Sequence, residues 1–192
     1  ALAFAAVSYD TFELTTQEKA DRLMGTADAA IAWTYDGPVA QHPTSPDFIA
    51  VPAGPLAESP TPRTPERLAS LLPPGSRTIT DQAFELRMRT ATGVGLIGAR
   101  MLDYTDPIAH GIYRPLAGRA PSTADEVALT STAMTRLRAS LGGSVQLADG
   151  GRTLHVVGTV ENPDDLIATT MLLRPGAVTA ADATRAAGVE YL

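Results

Sequence analysis

A run of strict alternation leading into three glycines constrains this chain most. Phe84, Leu86 and Met88 alternate with Glu85, Arg87 and Arg89, and the chain then reads Thr92-Gly93-Val94-Gly95-Leu96-Ile97-Gly98. A period of two places successive side chains on opposite faces, so residues 84–89 fit a strand with one buried face. Gly93-x-Gly95-x-x-Gly98 has the spacing of a dinucleotide-binding turn. That turn works only when a strand feeds it, a helix of several turns follows, and an acid lies about twenty residues on. Pro107 leaves at most eight residues after Gly98, too few for a helix that could carry a pyrophosphate. The segment therefore reads as two strands joined by a bend at 92–95, with Leu96, Leu102 and Tyr104 sharing one parity beyond it.

Composition narrows the class. An apolar share of 44% with 19% charged residues is globular, and 192 residues allow one domain or two small ones. A net charge of -6 speaks against a nucleic-acid partner, because phosphate binding needs a clustered basic face. The chain has no cysteine, which excludes disulfides, thiolate zinc sites and cysteine nucleophiles. It begins with seven uncharged apolar residues, ALAFAAV, far short of the roughly twenty needed to span a bilayer. Taken alone, they fit either the end of a membrane or signal segment or a buried first turn.

Local signals divide the rest. Thr15-x-x-Glu18 has the form of a capping box for a helix to about Met24, with Gly25 at its end. Ile31, Trp33 and Tyr35 alternate as a strand. Seven prolines between Pro38 and Pro62 make that region extended or looped, and it is the loop where ligand contacts would be sought. Thr64-Pro65-Glu66 starts a short helix. The segment 108–121 holds too many breakers for a regular element. Val127 to Leu129 read as a strand, Thr130 or Ser131 caps a helix to about Leu141, and Gly142-Gly143 stops it. Asp149-Gly150-Gly151 then turns a hairpin between SVQLA and TLHVVGTVE. Residues 166–173 form a further apolar run, Thr179 caps a short helix that Gly188 ends, and VEYL starts a strand. Helices and strands do not alternate regularly, which favours α+β.

No catalytic constellation appears. His42, His110 and His155 lack companion ligands at metal spacing, and His155 points to solvent from its strand. The acid pairs Asp125-Glu126 and Asp164-Asp165 read as solvated loop acids or turn caps. A hydrolase would need Ser131, His110 and Asp106 to converge, and nothing in the sequence supports that.

Residues 116–163 carry a resemblance. LAGRAPSTADEVALT, a helix, and LGGSVQLADGGRTLHVVGTVENP resemble the extracytoplasmic domain of FtsX-like (MacB-like) ABC transporter permeases. There a GR-x-P turn precedes DEV-x-L, a short helix ending in LG, a G-x-x-V-x-L strand and a strand ending V-V-G. Here the matching positions include Gly118, Arg119, Pro121, Glu126, Val127, Leu129, Gly142 and Gly158, with Ser144 where many relatives carry aspartate or threonine. The order holds across about forty residues.

The resemblance implies an α+β fold: a small split βαβ-like subdomain, an inserted β-rich lobe and an N-terminal stalk helix. Residues 1–24 would be the end of transmembrane helix 1 and the stalk. Residues 25–75 would begin the membrane-proximal subdomain, 76–175 would form the lobe, and 176–192 would return to the subdomain. The resemblance implies a domain on the extracytoplasmic face of the cell membrane, with no catalytic residue, cofactor or metal. Its implied partners are the transmembrane helices of the same permease, an ABC ATPase subunit on the cytoplasmic side, a second permease copy and an unidentified substrate. The motif residues are expected to be structural: Gly118 and Pro121 fix a turn, and Arg119 offers a planar fork to carbonyls or to Glu126. The alternative is a free-standing secreted binding or adhesion module.

Overall fold

The computed structural model describes residues 14–32, 38–41, 48–51, 64–179 and 185–192. Helix α1 (Thr16–Met24) starts at the expected capping box: Thr15 Oγ1 accepts from Glu18 N at 3.2 Å, and Glu18 Oε2 accepts from Thr15 N at 2.8 Å. Gly25 closes it with φ +65°. The apolar run before it lies outside the described residues. Among the described residues no helix is long and apolar enough to cross a membrane. Strand β1 (Ile31–Ala32) is followed by an antiparallel pair, β2 (Val39–Gln41) and β3 (Phe48–Ala50). Trp33, Tyr35, His42 and most of the proline-rich segment fall outside the description. Helix α2 (Pro65–Leu71) has Thr64 as its N-cap and buries Leu68.

The alternating run is the long strand β4 (Thr80–Thr90), and the glycine fingerprint lies within β5 (Gly93–Met101) rather than before a helix. Thr90 pairs with Gly93, Leu86 with Ile97 and Phe84 with Ala99. That register corrects the expected parity: Ile97 and Ala99 are buried, whereas Leu96 is 42% exposed. The two-residue connection fixes which β5 residues lie opposite the buried face of β4, and those are the odd-numbered ones. Leu102 is buried as expected, but just beyond the strand.

The remaining elements are β6 (Arg114–Gly118), β7 (Glu126–Thr130), helix α3 (Ser131–Leu137), β8 (Ser144–Gln146), β9 (Thr153–Glu161), β10 (Thr170–Leu173) and β11 (Arg185–Tyr191). Nine strands make one sheet in the order β1-β11-β4-β5-β10-β7-β9-β6, with β8 also on β9. The β5–β10 and β7–β9 pairs are parallel and the others antiparallel. A mixed sheet with few helices is an α+β fold. A bridge between Met88 and Leu147, with Ala148 N donating to Arg87 O at 2.7 Å, brings β4 against β8 and curls the sheet around its main core. Leu86, Met88, Ile97, Leu129, Leu154 and Met171 fill that core, and α3 lays Ala133 and Leu137 into it one turn apart.

Three further expectations need correction. Residues 114–118 do form a strand, despite Pro115: β6 sits at the sheet edge, and its register shifts between Pro115 and Ala117. An edge strand tolerates a residue without an N–H. Helix α3 stops at Leu137, not near Leu141, because Arg138 turns left-handed (φ 50°) and Ala139 N bonds back to Met134 O at 2.9 Å. This is a Schellman-type closure, and Ala139 packs against the core beside Met134. The expected C-terminal helix ending at Gly188 gives way to strand β11 from Arg185 onward, since β4 offers an open edge and a helix of two turns is marginal alone.

Candidate functional site

The motif residues meet around β9. Gly118 ends β6 with φ +74° and is the register partner of Gly158. A β-carbon on Gly118 would run into the Val157 carbonyl oxygen and lie 3.0 Å from the Gly158 Cα. One on Gly158 would strike the Arg119 carbonyl oxygen and lie 3.4 Å from the Ala128 Cβ. Two backbones thus approach as only glycine permits, and Arg119 N donates to Val157 O at 3.0 Å across the gap. Leu141 packs beside Gly118. Gly142 N donates to Val156 O at 2.8 Å, which carries the β8 ladder one step further.

Arg119 then closes the loop that leads into β7. Its Nη1 donates to Glu126 Oε2 (2.7 Å), Ser122 Oγ (3.0 Å) and Ala120 O (3.1 Å), and its Nη2 donates to Glu126 Oε1. Glu126 Oε2 also accepts from Ser122 N at 2.8 Å and Ser122 Oγ at 2.9 Å. The Arg119 hydrogen bonds first, and the Ser122 amide second, hold the Glu126 carboxyl well below the usual carboxylate range. Arg174 donates to Ser122 O at 3.0 Å, and Arg152 donates to Ala124 O and Ala177 O. Pro121 is buried, and Val127 and Leu129 enter the main core. The result is a rigid clasp whose carboxylate is fully engaged in structure.

Beside this clasp, on the outer face of the sheet, lies a cleft of about 370 Å³, within the range of small-ligand sites. Every residue of β7 from Val127 to Thr130 is buried, because its two faces serve two cores: Val127 and Leu129 point inward, while Ala128 joins Leu172 and Val160 on the outer face. These three, with Tyr104 and Tyr113, supply the apolar lining. Pro115, Ala117, Arg119 and Pro121 border the cleft from the β6 side, and His110 from the preceding turn.

A buried polar network stiffens one wall. Arg100 Nε donates to Asp81 Oδ1 at 2.9 Å and Oδ2 at 2.7 Å, with Nη2 on the same carboxylate. Burial alone would lower the Arg100 pKa, but the Asp81 hydrogen bonds and charge override it and raise it. The Arg100 guanidinium carbon sits 5.8 Å from the Tyr113 ring centre, and Tyr104 meets Tyr113 edge-on at 5.7 Å and 87°. Burial pushes both tyrosine hydroxyls above their ordinary values, Tyr104 furthest.

The remaining polar residues stay apart from one another. Asp106 accepts from Ile108 N at 2.9 Å and pairs with Arg77, Ser131 is an exposed first residue of α3, and among the described residues no hydrogen bond or ion pair links Ser131 with Asp106 or His110. Asp165 Oδ1 caps a turn by accepting from Ile167 N at 3.1 Å, and His155 is exposed. The sequence reading did not single out Asp81, Arg100, Tyr113, Ala128 or Leu172. The available signal was the unbroken apolar character of VALT and TMLL, which marks strands covered on both faces.

No protein-family model matches this sequence, and no curated protein matches it. Solved structures do resemble it. One is a domain of a protein described as a permease from Porphyromonas gingivalis, with TM-score 0.46 and 14% identity over 66% of this chain and 64% of that one. Another is the extracellular domain of the noncanonic ABC-type transporter YknZ from Gram-positive bacteria, with TM-score 0.48 and 14% identity over 67% and 72%. A third is the periplasmic region of MacB from Actinobacillus actinomycetemcomitans, with TM-score 0.46 and 12% identity over 65% and 60%. The chain thus spans less than two thirds of the first and third of these structures. The three structures that the chain resembles are thus a permease domain, the extracellular domain of an ABC-type transporter and a periplasmic region.

Proposed function

We propose that this chain is the extracytoplasmic domain of an ABC transporter permease, a non-catalytic part that engages a substrate or partner and transmits ATP-driven motion. The observation that carries this reading is the clasp. The GR-x-P, DEV-x-L, LG and V-V-G pieces match the permease pattern in order, and they interlock here through Gly118, Arg119, Glu126, Gly142 and Gly158. A unit of this kind is built for stiffness, with every acceptor of its carboxylate taken. Helix α1 is also tied firmly to the body: Arg22 donates to Pro163 O at 2.7 Å, and Thr26 N donates to Ile108 O at 2.9 Å. A stalk that passes on displacement needs such attachments.

In this reading residues 1–24 are the end of a transmembrane helix and its stalk. Residues 25–75 and 176–192 form a membrane-proximal subdomain, and 76–175 form an inserted lobe. The transmembrane helices of the same permease, a cytoplasmic ABC ATPase and a second permease copy are its partners.

Labelling of intact cells tests this. The chain lacks cysteine, so Arg89→Cys at an exposed site, made in the full natural protein, gives a reporter at a known place. A membrane-impermeant maleimide should label it in intact cells, and the labelled protein should remain with the membranes and co-purify with an ATPase. Labelling only after lysis would refute an extracytoplasmic position. Labelled protein released in soluble form would instead favour a secreted binding or adhesion module.

A further inference from the structure

We infer that the cleft on the outer sheet face binds an amphipathic monocarboxylate: an apolar chain seated on the sheet, with its carboxylate toward Arg119 and His110. This goes beyond the permease reading and does not depend on it. The body of the site is apolar, formed by Tyr104, Ala128, Val160 and Leu172. Its capacity of about 370 Å³ suits a small ligand, not a protein segment. The rim carries the charge preference. In a chain of net charge -6, no aspartate or glutamate among the described residues lines this cleft, while Arg119 and His110 do. Glu126 partly offsets Arg119, but it takes only the two terminal nitrogens; the Arg119 Nε–H has no partner among the described residues. That leaves a donor on a guanidinium whose direction is already fixed by the clasp. A carboxylate can accept from it without displacing an existing bond.

The aromatic wall is fixed before a ligand arrives. Asp81 anchors Arg100, Arg100 sits over Tyr113, and Tyr104 abuts Tyr113 edge-on. Binding then loses little rotamer freedom, which is what preorganisation contributes to affinity. A cationic amphiphile would bring a like charge to Arg119, and an alcohol would give the free donor only an uncharged, weaker acceptor.

Sodium decanoate, titrated below its micellar range into the isotopically labelled 192-residue chain, is the probe, with decanol and decylammonium as comparators. The expected result is saturable one-to-one binding, with the resonances of Tyr104, Tyr113, Leu172 and Val160 moving together. Decanol should bind about tenfold more weakly and decylammonium weaker still. Ala117→Phe, at an exposed position bordering the cleft, should abolish binding. His110→Ala should weaken decanoate several-fold and leave decanol unchanged. Because His110 is exposed, that variant carries the test if Ala117→Phe fails to fold. Equal affinity for decanol and decanoate, shifts scattered away from the cleft, or binding indifferent to both substitutions would overturn the proposal.

Discussion

Replacing Gly158 by alanine isolates the close approach on which the clasp rests. The new β-carbon would fall well inside the roughly 3.3–3.6 Å of an ordinary C···O contact with the Arg119 carbonyl, so β6 must retreat by about 1 Å. Ala128 Cβ at 3.4 Å and Arg119 C at 3.2 Å leave no route sideways. Overpacking of this kind costs about 1–3 kcal/mol. Opening the gap also stretches the 3.0 Å bond from Arg119 N to Val157 O, worth about 1 kcal/mol. The sum is about 3 kcal/mol, or a Tm lower by roughly 6–12 °C for a domain of this size. Gly142→Ala is the control: its φ is +81° but no atom lies within 4 Å of the new carbon, so only left-handed strain of about 1 kcal/mol remains. Urea unfolding followed by far-UV circular dichroism measures both. If Gly158→Ala loses no more stability than Gly142→Ala, the two glycines are not there for backbone approach and the account of the motif fails.

Arg100→Met should cost about 3–5 kcal/mol at neutral pH, because it strands the Asp81 carboxylate, only 3% exposed, without its partner. Asp81→Asn added to Arg100→Met should cost less than the sum of the two singles in chemical denaturation. Thr130→Val should cost about 2 kcal/mol: Thr130 is 4% exposed, its Oγ1 donates to Ala168 O at 2.7 Å and accepts from Thr170 N at 3.1 Å, and it caps α3. Thr130→Ser should recover most of that in the same assay. Glu126 titrates below its unfolded value, so its contribution is present above the unfolded carboxylate range and lost as pH falls through the folded value. The Tm gap between wild type and Glu126→Gln should therefore be widest near neutrality and close as pH drops; a gap constant with pH would separate Glu126 from the clasp. Arg119→Ala should lower Tm in the same sense, and an unchanged melt would count against a structural role for the fork.

What the sequence determined by itself is local. The capping box at Thr15, the Thr64-Pro65 helix start, the alternation of β4 and the turn at Asp149-Gly150-Gly151 rest on neighbours in the chain, and their physics is written in consecutive residues. The order of the clasp pieces was legible too, as was the pairing of Arg119 with Glu126, which lie close in sequence. What only the tertiary structure decided depends on residues far apart. The inward parity of β5 follows from hairpin register rather than from its own composition. The C-terminal segment becomes a strand because β4 presents hydrogen-bonding groups to it, a tertiary gain that outweighs a short helix. The reason for Gly158 lies in the carbonyl of Arg119, about forty residues earlier and just past the end of β6. The cleft is the extreme case: Tyr104, Tyr113, Ala128 and Leu172 come from four separate segments, and only the curled sheet brings them to one face. Side-chain identity fixes what each residue can do; which of them share a surface is set by strand order and register, and those are properties of the whole sheet.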